Sequence, residues 1–224
     1  VNHETLAEGN FDSVVLATGV RPRELELEGA DHAKVLSYLD VLDGECVVGQ
    51  KVAVIGAGGI GIDVAHYLTA QTPFSGEIPE YLQVYGILDS EKAMALLKPK
   101  KREVTVLQRS SDKIGKRLGK TTGWAHIQTL KSHGVQLLSG ATYLKIDDAG
   151  LHVKVALKKG EEPQEIVMDV DNVIVAAGQE PRLELEASLR KAGMEVHVIG
   201  GAKVSLGLDA KTAIKDGAEL AANL

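Results

Sequence analysis

Short, largely apolar runs bounded by glycine, proline and charged residues dominate the pattern of this chain. Residues 11–18, 51–55, 103–107, 135–138, 171–178 and 195–199 read as buried strands, each ending at a turn signal. The period changes over 60–69, where Ile60, Val64, Ala65 and Leu68 fall on one helical face; 122–132 and 209–220 are amphipathic in the same way. Residues 143–146, 151–157 and 165–170 predict a β-meander with turns at 147–150 and 158–163. Within the connecting segment 21–50, residues 35–42 read as a short helix. Residues 71–101 have no clear period and are punctuated by Pro73, Pro79 and Pro99, which predicts an insertion, part helical around 90–97.

One pattern occurs twice. Leu16-Ala-Thr-Gly-Val-Arg-Pro22 and Val175-Ala-Ala-Gly-Gln-Glu-Pro181 each follow a buried strand, and together they bracket a complete strand–helix–strand unit. That arrangement predicts one domain, residues 47–167, inserted into another formed by 1–46 and 168–224.

Gly56-Ala-Gly58-Gly-Ile-Gly61 fits G-x-G-x-x-G at the junction of a strand and a helix. There the first glycine permits a tight turn, the second lets backbone approach a pyrophosphate, and the third lets helix and strand pack closely. The helix N-terminus then offers free N–H groups to phosphate oxygens, with Gly59 and Ile60 in the first turn. A glycine-rich turn without a ligand is the other reading. The fold class expected is α/β, a three-layer Rossmann-like NAD(P)-binding domain with a β-meander, inserted in a partial FAD-binding domain.

The end of the next strand selects the dinucleotide. An acid there would take the ribose hydroxyls of NAD. This chain has Gln108-Arg109, with Lys113, Lys116, Arg117 and Lys120 beyond, which suits a 2′-phosphate and favours NADPH. A solvated basic loop is the alternative. The gap from the glycine motif to Arg109 is longer than the usual ~20 residues because of the insertion.

Composition narrows the choice further. The 224 residues carry a net charge of −6 and no long basic run, which argues against nucleic acid as a partner. Cys46 is the single cysteine, so an intrachain disulfide and a cysteine-held iron–sulfur cluster are excluded. No apolar run reaches the ~20 residues of a bilayer span; with the cysteine usage this predicts a cytoplasmic protein and no membrane partner. Glycine is abundant at 24 residues and aromatics are scarce at 4%, which suits a backbone that approaches a nucleotide closely. No catalytic constellation emerges. His126 and His133 share a helix without a third metal ligand, Cys46 reads as inert, and Trp124 reads as a packing residue. The first residue is Val and a core strand follows at once, which predicts a fragment of a longer chain.

Longer strings carry a resemblance. The two strand exits around a G-x-G-x-x-G domain resemble the two-dinucleotide-binding flavoprotein reductases. Lys34-Val-Leu-Ser-Tyr-Leu-Asp-Val-Leu42, Val54-Ile-Gly-Ala-Gly-Gly-Ile-Gly61, Leu107-Gln-Arg109 and Leu118-Gly-Lys-Thr-Thr-Gly-Trp124 are similar to the C-terminal part of bacterial NADPH-dependent 2,4-dienoyl-CoA reductases. So are Lys145-Ile-Asp-Asp-Ala-Gly-Leu-His152, Ala177-Gly-Gln-Glu-Pro181, Ile199-Gly-Gly201 and Leu208-Asp-Ala210.

The resemblance implies NADPH at Gly56, Gly58, Gly59, Ile60, Gly61, Arg109, Lys113 and Gly178, and FAD at Thr18, Gly19, Gly201, Ala202, Asp209 and Ala210. Many relatives have Asp after the last strand's glycine; here Gly201 is followed by Ala202. It also implies a partner in the same polypeptide, an N-terminal barrel carrying FMN and a [4Fe–4S] cluster, and a first FAD glycine motif before residue 1. Without that motif the expectation is weak or absent FAD binding and self-association of truncated edges. The implied role is passing hydride from NADPH to FAD for dienoyl-CoA reduction in fatty acid oxidation. A trimethylamine dehydrogenase-like or enoate reductase-like parent, or a non-catalytic nucleotide-binding module, are the alternatives.

Overall fold

The computed structural model describes residues 2–9, 11–69, 102–116, 118–119, 121–158, 160–207 and 209–224; the insertion expected over 71–101 lies outside the described residues. In chain order the elements begin with α1 (His3–Glu8), β1 (Ser13–Leu16), β2 (Val20–Pro22), β3 (Val35–Ser37), α2 (Tyr38–Asp43), β4 (Lys51–Ile55) and α3 (Gly59–Thr69). There follow β5 (Glu103–Gln108), α4 (Gly123–Ser132), β6 (Gln136–Ser139), β7 (Thr142–Asp147), β8 (Gly150–Val155), β9 (Gln164–Met168) and β10 (Asn172–Val175). The last are β11 (Gln179–Pro181), α5 (Glu186–Lys191), β12 (Glu195–Val198), a 3-10 turn (Gly200–Ala202) and α6 (Ala210–Ala221). Two units result, Glu24–Ala177 and the pair of segments Val1–Arg23 with Gly178–Leu224.

In the larger unit a parallel sheet runs in the order β3-β10-β4-β5-β6. Its central strands are apolar at successive positions because both faces are covered. Alternation along β4 divides the side chains. Val52 and Val54 join Val104, Val106 and Ile174 beneath Ile62, Val64 and Leu68 of α3 and Leu130 of α4. Ala53 and Ile55 point the other way and join Leu107 and Val173 beneath Ile146, Leu151 and Val153 of the antiparallel meander β7-β8-β9. Helices, sheet and meander are the three layers expected of the α/β fold.

Polar clamps fix the register at the sheet's lower edge. Asp171 Oδ2 accepts the N–H groups of Gln50 at 2.7 Å and Lys51 at 2.8 Å, which holds this carboxyl below the ordinary carboxylate range. Asn172 Oδ1 accepts the Gly49 N–H at 2.8 Å. These bonds tie the starts of β10 and β4 together.

The structure corrects the sequence reading in three places. Residues 35–42 are not one helix: Val35 and Leu36 pair with β10, and Ser37 caps α2 by accepting the Leu39 N–H at 3.2 Å. The seams between the units fall at 23/24 and 177/178 rather than 46/47 and 167/168, because β3 and β10 are strands of the larger unit's sheet. The strand read at 11–18 is shorter and only half covered. Val14 and Leu16 are buried, whereas Phe11 and Val15 are exposed.

The smaller unit is thin. Strands β1 and β12 pair in parallel, β2 and β11 pair antiparallel, and Val14, Leu16, Leu189 and Val196 form its buried cluster. Helix α6 contributes no buried residue.

Helices α3 and α4 meet along a seam of histidines. The rings of His66 and His126 lie edge to face with centroids 5.4 Å apart, and His133 Nδ1 is 3.4 Å from Thr69 Oγ1. His66 Nε2 is buried with no hydrogen-bond partner among the described residues. Burial first, and then the neighbouring His126, push the His66 imidazole below its ordinary pKa, with Asp63 opposing. The folded state therefore binds fewer protons here than the unfolded chain, so stability falls as pH drops through the ordinary histidine range. Urea midpoints should fall between about pH 7.5 and about pH 5.5, and His66→Gln should reduce that fall. An identical fall in the variant would assign the acid sensitivity to other groups.

Candidate nucleotide-binding site

The turn between β4 and α3 is built around contacts that only glycine permits. Gly56 has φ of +111° and donates its N–H to Leu107 O at 2.8 Å; a Cβ there would sit 2.2 Å from the Ala176 carbonyl oxygen. A Cβ on Gly61 would meet the Gly56 carbonyl oxygen at 1.9 Å, so this glycine brings the helix down onto the turn. Gly58 and Gly59 differ. A Cβ on either would meet nothing within 4 Å. Two glycines thus serve the fold, and two border open space where a ligand can reach backbone.

Helix α3 begins over this space. Its first intrahelical bond of the turn runs from the Ile62 N–H to Gly58 O at 3.0 Å, which leaves the preceding amides without an intrahelical acceptor. The first turn carries no acidic side chain to neutralise the helix's positive end.

The next strand supplies the charge. Strands β4 and β5 are in register from Lys51↔Glu103 to Ile55↔Leu107, so their carboxyl ends lie side by side, about 5 Å apart. Beyond β5, the Gln108 side-chain amide donates to the carbonyls of Ser110, at 3.0 Å, and Asp112. Asp112 N–H donates to Ser110 Oγ at 3.1 Å, and Ala141 N–H donates to Gln108 O at 2.9 Å. This clasp shapes the loop and leaves Arg109 and Lys113 exposed. Neither makes an ion pair or hydrogen bond with another described residue, whereas Lys116 pairs with Asp112 at 2.8 Å. Arg117 and Lys120 lie outside the described residues. The donor set fits a dinucleotide: open glycine backbone and a helix start for a pyrophosphate, and unpaired cations with no acid at the β5 end for a further phosphate.

Other expected residues are placed as follows. Gly178 belongs to the smaller unit, where it has φ of +129° and where a Cβ would lie 3.6 Å from Arg23 Cζ. In the same unit Thr18 Oγ1 donates to the Arg182 carbonyl, and Gly19, with φ of +72°, accepts the Arg182 N–H at 3.0 Å. Gly201 and Ala202 are buried in the 3-10 turn. Asp209 caps α6 by accepting the Thr212 N–H at 2.7 Å, a bond that holds its carboxyl below the ordinary range, and Ala210 opens the helix.

Sequence reasoning missed two residues here. Asp216 of α6 accepts the Gly200 N–H at 3.2 Å and lies 3.8 Å from Lys203, so it brings a carboxylate to the turn where Ala202 brings none. Tyr143 has a buried hydroxyl with no hydrogen-bond partner among the described residues, and burial pushes its pKa well above the ordinary phenol value against the opposing charge of Arg109. A contact across 16 residues and a lone tyrosine at the start of a meander strand leave no period to read.

The Cys46 thiol is pushed up by burial and by Asp40 and Glu45, which disfavours the reactive thiolate. Among the described residues no group of three His, Cys, Asp or Glu could hold a metal ion, and no helix is long and apolar enough to cross a membrane. Trp124 corrects the expectation of a packing residue. It is 72% exposed, because Ile127 and Leu130 fill the inner face of α4.

The two kinds of glycine give separable effects. Gly58→Ala should fold with stability within about 0.5 kcal/mol of the parent and lose nucleotide binding. Gly61→Ala should lose about 2 kcal/mol or more through the clash with Gly56. Chemical denaturation and calorimetry on both variants check this; equal destabilisation would contradict the division.

Comparison with known proteins places this geometry. The family model described as pyridine nucleotide-disulphide oxidoreductase matches residues 2–214. A metal reductase of Desulforamulus reducens is 30% identical over 195 residues, 87% of this chain and 28% of its own length. A cinnamate reductase of Clostridium sporogenes is 28% identical over 89% of this chain and 25% of its own length. The chain therefore spans about a quarter of these relatives. Among solved structures, a 2-naphthoyl-CoA reductase in complex with 2-naphthoyl-CoA superposes over 100% of this chain and 28% of its own, with a TM-score of 0.77 at 23% identity, which shows a shared fold. The match across nearly the whole chain, on a Rossmann-like sheet with an open glycine turn, makes this protein a member of the pyridine nucleotide-disulphide oxidoreductase family.

Proposed function

We propose that the larger unit binds NADPH and orients its nicotinamide toward an FAD, within a longer flavoenzyme that reduces an unsaturated acyl-CoA such as a 2,4-dienoyl-CoA. The observation that carries the reading is the pairing of an open Gly58-Gly59 turn with the unpaired Arg109 and Lys113 on adjacent strand ends. When bound, NADPH supplies a hydride and FAD accepts it. The chain's own residues bind and orient. First-turn amides of α3 receive the pyrophosphate, Gly58 lets it approach, and Arg109 meets the 2′-phosphate in a charge-assisted contact. The Gln108 clasp fixes the backbone of the loop that carries Arg109 at the strand end.

In this reading FAD lies against Thr18, Gly19, the Gly201-Ala202 turn and the Asp209-Ala210 helix start, and FMN and the [4Fe–4S] cluster belong to a barrel elsewhere in the polypeptide. In this reading self-association would use β1, where the Val15 side chain is exposed. A second reading, an enoate reductase-type parent, is supported by the 28% identity to cinnamate reductase. Both readings make the same demand on this chain.

Calorimetric titration with NADPH and with NADH at fixed salt tests the proposal. NADPH should bind more tightly, and Arg109→Ala should weaken NADPH by about tenfold or more while leaving NADH unchanged. Equal affinities in the parent would remove the phosphate role of Arg109 and keep the glycine turn. No heat with either nucleotide would overturn the reading.

A further inference from the structure

Trp124 is the chain's single tryptophan and its ring is 72% exposed. It is not loosely held: its indole N–H donates to the Thr121 carbonyl at 3.0 Å. An apolar ring of this size, anchored in one orientation and left in water, is costly unless something covers it. Its position indicates what that is. Helix α4 begins at the end of the loop that leaves the carboxyl end of β5, and so stands on the sheet edge that carries the glycine turn.

The basic loop is folded onto the same helix start. Turns closed by Lys116 N–H to Lys113 O and by Leu118 N–H to Gly115 O, both at 3.1 Å, reverse the chain. Gly115 packs on Ile127, where a Cβ would lie 2.7 Å from Cγ1. Leu118 packs on Gly123, the residue before Trp124, where a Cβ would lie 2.6 Å from the leucine Cβ. No room for a side chain exists at either glycine, so Gly115 and Leu118 hold the basic loop against the first turns of α4, which carry Trp124. That first turn carries no acidic residue. A fixed aromatic plane on the helix start that receives the loop carrying the exposed Lys113 is the chemistry that holds a purine with a phosphate close by.

We propose that Trp124 stacks on the adenine of the bound dinucleotide and sets affinity for the adenosine half of the cofactor. This rests on the dinucleotide reading of the sheet edge. With one tryptophan in the chain, intrinsic fluorescence reports this residue alone.

The test titrates the full chain with adenosine 2′,5′-bisphosphate and, separately, with nicotinamide mononucleotide, following fluorescence and calorimetry in parallel. The bisphosphate does not absorb tryptophan emission, so quenching reports stacking rather than energy transfer. Saturable quenching by the bisphosphate and none by nicotinamide mononucleotide is expected. Trp124→Ala should weaken the bisphosphate by about tenfold, and Trp124→Phe should retain most of the affinity. Nucleotide heat with unchanged fluorescence and unchanged affinity in Trp124→Ala would overturn the stacking role alone and mark the ring as a contact for another polypeptide. No heat with the bisphosphate or with NADPH would overturn the site reading, and this proposal with it.

Discussion

Everything proposed for this chain depends on how closely helix α3 approaches the end of β4. The helix can sit there only because Gly61 has no side chain to strike the Gly56 carbonyl and Gly56 none to strike Ala176. That contact aims the helix's first amides past the sheet edge rather than into the core. The burial of Ile62, Val64, Ala65 and Leu68 under the same helix holds it in place. The open face at Gly58 and Gly59 is what remains once the tight contacts are made.

In the proposed reading, charge at the neighbouring strand end gives the turn its specificity. Lys116 is neutralised by Asp112, and Gln108 satisfies the carbonyls of the loop, so among the described residues the cations left over are Arg109 and Lys113. An exposed ion pair contributes little to stability, and an unpaired exposed cation costs little. These cations are accordingly available to a ligand at small cost to the fold. The histidine seam between α3 and α4 links the same helix to pH, because protonation of the half-buried His66 opposes the packing that seats the glycine turn.

The sequence pattern carries the sheet and the glycine turn because both are written in short periods. In β4 alternate residues feed two different cores, which is why the run is continuously apolar. The G-x-G-x-x-G spacing states which positions exclude a side chain. Features set by distant contacts were not legible. Val35–Ser37 has a helix-compatible pattern, and its pairing with β10, more than 130 residues away, decides for strand. Trp124 reads as core by residue type, yet the inner face of α4 is already filled by Ile127 and Leu130. In the smaller unit, three-residue strands and a six-residue helix are too short to show a period. There Asp216 reaches the turn that Ala202 leaves without a carboxylate, a substitution across a helix that only geometry shows.

Backbone amide NMR of the chain with NADPH tests the central claim most directly. Saturable shifts should concentrate at Gly58, Gly59, Ile60 and Arg109, with little change along the meander from Thr142 to Met168. Shifts that leave the glycine turn untouched, or that fall mainly on the meander, would contradict a dinucleotide held at the carboxyl ends of β4 and β5.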